Sequence, residues 1–170
     1  MRFTSFRTLG FLGFAACAGG MAFALYLQYV QDLEPCPMCI FQRVAMISTG
    51  VIFLLGALHA PAGTGRWVYA VLAELAAISG AIIAGRHVWL QSLPADQVPA
   101  CGPTLDYLMD AFPMLDVVSM ILKGDGNCAR IDAAFLGLSL PGWTLVAFLG
   151  LALWASLMPI LPRLSAKDSR

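Results

Sequence analysis

The chain has 170 residues, of which 59% are hydrophobic and 12% are charged, and its formal net charge at pH 7 is zero. A soluble domain is typically about half apolar and about a quarter charged, so the excess of apolar residues must be concentrated in particular segments. The length predicts a single domain, and the lack of a basic excess or a glycine-rich phosphate loop argues against binding to nucleic acid or nucleotides.

Four long apolar runs predict four transmembrane helices. Each run has about the 20 residues that cross the hydrocarbon core of a bilayer, and four such runs would leave no polar face for solvent in a soluble bundle. The predicted fold class is an all-α membrane protein, in which residues 1–170 form one integral domain, a four-transmembrane-helix bundle with two outer loops. The predicted spans are about residues 9–30, 40–58, 67–86 and 143–161, and the outer loops are about 31–39 and 87–142.

The first apolar run follows Arg2 and Arg7, which is also how a cleaved signal peptide begins. The residues up to Cys17 have the form of a lipoprotein cleavage site. The apolar run continues from Cys17 to Val30, however, whereas the apolar core of a signal peptide is short. We therefore predict an uncleaved first helix, with Cys17 as a small apolar residue inside it.

The first outer loop carries Cys36 and Cys39 in a CxxC arrangement at the start of the second span. A cysteine near a helix N-terminus is stabilised as a thiolate by the backbone amides and the helix dipole. Arg43 lies one turn further on the same face, where it can stabilise that thiolate or donate hydrogen bonds to a carbonyl oxygen. The alternatives are a snorkelling interfacial arginine and a structural disulfide, or half of a zinc site, at the two cysteines.

Two ionisable residues lie within or at the end of the third apolar run. Glu74 lies inside the span, where a carboxylate is either a proton relay or a hydrogen-bonded contact between helices. His87 ends the third helix on the side of the first loop, and it can donate a hydrogen bond to a ligand oxygen or relay a proton. An interfacial histidine without a role is the alternative.

The second outer loop carries the other pair of cysteines, Cys101 and Cys128. Apolar residues between them recur at roughly helical spacing, although Pro113 divides the pattern. The stretch is too polar to span a bilayer, so it predicts a short amphipathic helix in the membrane interface, with a helix of a small external subdomain as the alternative. Residues 124–127 predict a turn before Cys128.

The distribution of charge predicts the orientation of the bundle. Both termini share one side, which collects bases, whereas the two loops are acidic, and cytoplasmic segments are generally enriched in Lys and Arg. We therefore expect cytoplasmic termini and loops that face a periplasm or its equivalent, where cysteine pairs favour disulfides over metal ligation. The terminal side carries Arg2, Arg7, Arg66, Arg163, Lys167 and Arg170, against Asp168. The loops carry Asp32, Glu34, Asp96, Asp106, Asp110, Asp116, Asp125 and Asp132, against Lys123 and Arg130.

Two cysteine pairs on one side of a membrane can pass oxidising equivalents in sequence by thiolate attack on disulfides. One pair would meet a soluble partner, and the other would lie where a lipid-soluble electron acceptor can dock. Oxidation of a dithiol releases two electrons and two protons, and reduction of a quinone consumes the same number in the plane of the membrane. This match predicts a quinone as the electron acceptor, and the outer location of the cysteines predicts no metal there.

Three segments resemble the disulfide bond formation protein B (DsbB) family. They are residues 35–43 around the CxxC, residues 126–129 around Cys128, and residues 135–143 leading into the fourth span. The four spans, two loops and four placed cysteines agree with that family along nearly the whole chain. One departure is that family members commonly carry a tryptophan shortly after the last loop cysteine, where this sequence has residues 131–134.

The resemblance implies an enzyme of the bacterial inner membrane that reoxidises a soluble, thioredoxin-like periplasmic oxidase of the DsbA type. The reduced partner would attack a Cys101–Cys128 disulfide at Cys101, and the released Cys128 would attack Cys36 and open a Cys36–Cys39 disulfide. All four cysteines are therefore expected to be catalytic.

The resemblance also implies a site for ubiquinone or menaquinone. Cys39 would be the thiolate that faces the quinone, with Arg43 nearby, and His87 matches the family's quinone-site histidine by position. Three other interpretations remain open: a reductase like the vitamin K epoxide reductases, a non-enzymatic four-span scaffold with two structural disulfides, and a transporter. The reductases carry their CxxC near the end of the last helix, where this chain has no cysteine.

Overall fold

The computed structural model describes residues 5–94, 96–103, 105–131 and 133–162. Several charges used to predict the orientation, namely Arg2, Asp132, Arg163, Lys167, Asp168 and Arg170, lie outside the described residues. The elements are α1 (Phe6–Val30), α2 (Pro37–His59), α3 (Gly65–Gln91), α4 (Leu105–Ala111), α5 (Met114–Lys123), α6 (Gly126–Ala129), β1 (Ala134–Phe135), β2 (Leu138–Ser139) and α7 (Leu140–Leu157). The two short strands pair antiparallel.

Four of these helices, α1, α2, α3 and α7, are long and apolar enough to cross a membrane. The chain is therefore a multi-pass, all-α membrane protein built on a four-helix bundle, which confirms the predicted fold class. The boundaries agree with the predicted spans to within a few residues, and the largest difference is at the end of α3, which continues past His87 to Gln91. His87 therefore lies within α3, about one turn before the end of the helix.

The ends of α2 and α7 follow from their local sequence. Pro37 stands in the first turn of α2 and Pro141 in the first turn of α7, where the missing N–H of proline leaves no hydrogen bond unmade. At its other end, α2 stops at Ala60, which takes a left-handed conformation with φ 44° and donates its N–H to the carbonyl of Gly56. Pro61 follows and cannot continue the helix.

Small residues allow the helices to approach one another closely. A Cβ on Gly13 of α1 would lie 2.9 Å from the ring of Phe53 in α2, and a Cβ on Gly80 of α3 would lie 2.3 Å from the ring of Phe148 in α7. Both rings are fully buried. Helix association in a bilayer depends on such close van der Waals contact, since lipid supplies little hydrophobic drive.

The bundle has two distinct ends. The starts of α2 and α7 and the end of α3 lie together at what we call the cysteine end, and both described termini lie at the opposite, terminal end. Neighbouring helices in the chain pack along their length, α1 on α2 and α2 on α3, and α3 packs on α7. At the terminal end, Trp154 of α7 donates its Nε1–H to the carbonyl of Leu9 in α1 at 3.0 Å.

The connection between α3 and α7 folds onto the cysteine end. Its buried residues Val117, Ile121 and Cys128 form a second core with Met38 of α2 and Leu90 of α3. The predicted single amphipathic helix is two helices, α4 and α5, because Pro113 separates them and caps the second. The predicted turn at 124–127 holds the start of the short helix α6.

Candidate functional site

The CxxC pair stands at the start of α2. Cys36 is the N-cap residue of the helix and Cys39 lies in its first turn, so the stiff Pro37 fixes the distance between them. The two sulfur atoms are 3.1 Å apart, and both side chains are partly buried. The structure therefore places the pair at the mouth of the second membrane helix, with both sulfurs accessible to a neighbouring group.

A buried histidine faces this pair from α3. His87 is only 2% exposed, and its Nε2 lies 3.8 Å from the sulfur of Cys36. On the other side of the ring, Nδ1 lies 3.1 Å from the Nε2 of Gln42 in α2, which is itself only 4% exposed. With the amide nitrogen placed there, Gln42 donates to Nδ1, so the ring proton is on Nε2 and faces the sulfur.

Gln42 is a site residue that the sequence analysis did not single out. It interrupts an apolar run one turn after Cys39, and a polar side chain in that position was the available signal. What it binds could not be foreseen, because its partner His87 lies 45 positions away in the chain. The pair couples α2 to α3 directly beneath the CxxC sulfurs.

Cys128 approaches the same point from the long connection. The Asp125 side chain caps α6 by accepting hydrogen bonds from the backbone N–H groups of Asn127 and Cys128, at 3.0 and 3.1 Å. This cap aims the Cys128 sulfur inward, where only 2% of the residue is exposed. The ligand atoms of Cys36, His87 and Cys128 all lie within 4.8 Å of one another.

The chemical environment of Cys128 favours the neutral thiol. A hydrogen bond with Cys36 and burial together raise the pKa of the Cys128 thiol well above its usual range, and the cap from Asp125 opposes them only in part. A neutral thiol is a poor nucleophile.

Cys101 lies beside the start of α6 and, unlike Cys128, is exposed. The carbonyl of Ala100 accepts a hydrogen bond from the N–H of Gly126 at 3.1 Å. A Cβ on Gly126 would lie 2.7 Å from the carbonyl oxygen of Pro99 and 3.2 Å from the Cys101 sulfur. Glycine at 126 therefore lets the Cys101 segment run against the helix that carries Cys128, with Cys101 turned to solvent.

Arg43 lies one turn after Cys39 and lines the same cavity, as its spacing predicts, and its side chain also contacts α1. Its guanidinium donates to the Oε1 of Gln28 and, at 3.2 Å, to the carbonyl of Ala24, both in α1. These hydrogen bonds tie α2 to α1 near the cysteine end. Arg43 is therefore held beside the CxxC by α1, with the guanidinium at the edge of the space between the helices.

A cavity of about 260 Å³ opens at the cysteine end between the four long helices. The sequence-predicted residues Cys36, Cys39, Arg43 and His87 line it, and Gln42 joins them. Much of the remaining wall comes from α1 and α7, including Met21, Phe23, Leu27, Leu140, Trp143 and Ala147. The walls of the cavity from α1 and α7 are thus mainly apolar, whereas α2 and α3 contribute the sulfur, guanidinium and imidazole groups.

Two residues noted in the sequence lie apart from this site. Cys17 is buried inside α1, where a Cβ on Gly50 of α2 would lie 3.0 Å from the Cys17 Cβ. It packs between helices at a point that does not line the cavity. Glu74 is half-buried within α3, between the two ends of the bundle, and likewise does not line the cavity.

Membrane spans that bring two cysteine pairs and a buried histidine to one end of a bundle define a membrane-embedded disulfide oxidoreductase. The chain matches the family model described as "Disulfide bond formation protein DsbB" over residues 6–158. The chain belongs to the DsbB family, whose members support disulfide bond formation.

Relatives named "Disulfide bond formation protein B" match most of the chain. The protein of Hahella chejuensis is 58% identical over 150 residues, which cover 88% of this chain and 91% of the relative. The protein of Saccharophagus degradans is 55% identical over 147 residues, covering 86% and 89%. That of Nitrosococcus oceani is 52% identical over 153 residues, covering 88% and 90%.

Proposed function

We propose that the chain is a thiol:quinone oxidoreductase of a bacterial inner membrane. It reoxidises a soluble, thioredoxin-like periplasmic oxidase of the DsbA type and passes the electrons to membrane quinone. The observation that carries the proposal is a cavity at the end of a membrane bundle that Cys36, Cys39 and His87 line, with the Cys128 sulfur within 4.8 Å of Cys36 and His87. Membership of the DsbB family supports the same conclusion.

The first half of the cycle takes place at the long connection. A thiolate of the reduced partner attacks Cys101 in a Cys101–Cys128 disulfide and forms a mixed disulfide, with Cys128 leaving as the thiolate. The partner's second thiol then attacks its own sulfur in the mixed disulfide and releases Cys101. The exposure of Cys101 and the burial of Cys128 support this order of attack, because only Cys101 is open to another protein.

The second half transfers the oxidising equivalents from the membrane pair. Cys128 attacks Cys36 in a Cys36–Cys39 disulfide and Cys39 leaves; Cys101 then attacks Cys128, which restores the Cys101–Cys128 disulfide and releases Cys36. The sulfurs of Cys36 and Cys128 are already within 4.8 Å of each other, which supports a direct attack. In the tautomer that a donating Gln42 amide selects, the Nε2 hydrogen of His87 faces the Cys36 sulfur, 3.8 Å away, and can be donated to a leaving sulfur.

The cavity at the cysteine end is the proposed quinone site. When bound, quinone supplies an acceptor for two electrons and two protons from the Cys36–Cys39 dithiol. Arg43 and His87 are the hydrogen-bond donors that would orient its oxygens. The apolar residues from α1 and α7 suit a lipid-soluble ring.

Replacing Cys39 tests the proposal. The purified Cys39→Ser variant, mixed with a reduced thioredoxin-fold partner and quinone, should show no fall in quinone absorbance, because Cys36 can no longer form a disulfide with its neighbour. It should still trap, in a mixed disulfide at Cys101, a partner that lacks its second, resolving thiol. Quinone turnover that persists in Cys39→Ser, or a wild-type chain whose cysteines resist alkylation and exchange, would leave the non-enzymatic scaffold as the better explanation.

A further inference from the structure

The thiols at the cysteine end also have the composition and spacing of a metal site. Two sulfurs and one imidazole nitrogen, from Cys36, Cys128 and His87, lie within 4.8 Å of one another. In a tetrahedral zinc site, bonds of about 2.3 Å to sulfur and about 2.0 Å to nitrogen give sulfur–nitrogen separations of about 3.5 Å. The 3.8 Å between Cys36 and His87 is close to that value.

The surroundings of the three ligands fit a bound cation. The Cys39 sulfur, 3.1 Å from that of Cys36, is too close for both sulfurs to bind one tetrahedral ion, so Cys39 stays outside the ligand set. Gln42 holds the other nitrogen of the imidazole, and its amide can turn to accept the Nδ1 hydrogen, which leaves the Nε2 lone pair free for a metal. Two thiolates neutralise a divalent cation, so the complex buries no net charge.

We propose that the fully reduced chain binds one thiophilic divalent cation, for which Zn²⁺ is the test case, at Cys36, His87 and Cys128, with water in the fourth position. Binding displaces the thiol protons into solvent and forms metal–sulfur bonds, without any change in oxidation state. A disulfide at either pair removes one of the two sulfur ligands. The cation therefore competes with reoxidation and holds the thiols reduced.

A cobalt titration tests this inference. The full-length chain in detergent is reduced, freed of reductant under argon, and titrated with Co²⁺, whose thiolate charge-transfer and visible bands report tetrahedral sulfur ligation. We expect one equivalent to bind, Zn²⁺ to displace it, and a chain with both disulfides formed to bind none. Cys128→Ser and His87→Ala should each weaken binding by about tenfold or more.

Matched controls distinguish a specific metal site from nonspecific binding of the metal to thiols. Cys17→Ser removes a buried cysteine far from the cluster, and Cys101→Ser removes an exposed one, so both should keep the cobalt spectrum of the unaltered chain. A spectrum without thiolate bands would overturn the inference, and so would binding that is equally strong in Cys128→Ser. Size-exclusion profiles show whether each variant is folded.

Only the inhibitory consequence rests on the proposed function. Zn²⁺ added to the reduced chain should slow its quinone-dependent reoxidation, and a chelator should restore the rate. Cobalt binding without any quinone turnover would uphold the metal site and reject the proposed function. Quinone turnover without cobalt binding would uphold the proposed function and reject the metal site.

Discussion

The buried contact between Gln42 and His87 determines what the imidazole presents to sulfur. Both side chains are almost fully enclosed, so neither can exchange its partner for water. As long as Gln42 donates to Nδ1, the hydrogen of a neutral ring is kept on Nε2, directed at Cys36. We regard Gln42 as a positioning residue, since it acts through His87 and not on the sulfurs themselves.

The Gln42→Met variant should release this constraint while keeping a similar side-chain volume. We expect His87 to populate both neutral tautomers, and the unpaired Nδ1 to cost about 1–3 kcal/mol of stability. The chain has two histidines, so ¹⁵N spectra of histidine-labelled protein report directly on each ring, and the His59→Asn variant assigns them. A Nε2-protonated ring that is unchanged in Gln42→Met would show that Gln42 does not set the tautomer.

A second feature at the scale of residues is the difference in exposure between Cys101 and Cys128. Cys101 is exposed and Cys128 is 2% exposed, although Cys101 lies beside the short helix that carries Cys128. The raised pKa of Cys128 keeps it a thiol near Cys36, which prevents a permanently ionised sulfur inside the second core. The exposed member of the pair is therefore the one suited to meet another protein.

At the scale of elements, the contact of α3 with α7 depends on one glycine. The Phe148 ring occupies the space that a side chain at position 80 would need, and the ring is fully buried. Because α3 also carries His87 and α7 lines the cavity, the spacing of these helices sets the width of the site.

Gly80→Ala should therefore destabilise the bundle by about 1–3 kcal/mol through overpacking. Its Cβ would lie 2.3 Å from Phe148, whereas a Cβ at Gly150 in α7 or at Gly85 in α3 meets nothing within 4 Å. Thermal unfolding in detergent measures the effect. Gly150→Ala is the matched control, and equal midpoints for the two variants would mean that the helices can separate without penalty.

At the scale of the whole molecule, the proposed function depends on which side of the membrane the cysteine end faces. Every step of the proposed cycle occurs at the cysteine end, so the soluble partner and the quinone must both reach it. The bases and acids of the sequence predict that this end faces the periplasm. The exposed Cys101 offers a natural reporter of that orientation.

A membrane-impermeant maleimide should label Cys101 in intact, reduced cells. We expect labelling from outside without disruption of the inner membrane, and its loss in Cys101→Ser. A cysteine introduced at Thr64, between α2 and α3 at the terminal end, should be labelled only after the membrane is opened. If the reverse pattern were observed, the proposed direction of electron flow would be untenable.

Much of the architecture follows from the sequence alone. Four apolar runs determine four membrane helices, because hydrocarbon leaves the backbone few other ways to satisfy its hydrogen bonds. The CxxC at the mouth of the second run and the segments shared with the DsbB family place the cysteine chemistry at one end. These features are short-range, because composition, spacing and motifs can be recognised within a few turns of the chain.

Tertiary structure decided which of these groups meet. Cys36 and His87 are 51 positions apart, and the contact of Gln42 with His87 and the engagement of Arg43 by α1 likewise join separate helices. The folding of α5 and α6 onto the bundle, which brings Cys128 beside Cys36, depends on a second core that no single segment encodes. Local periodicity predicts which face of a helix is apolar, but the neighbour packed against that face is fixed only when all the helices assemble together.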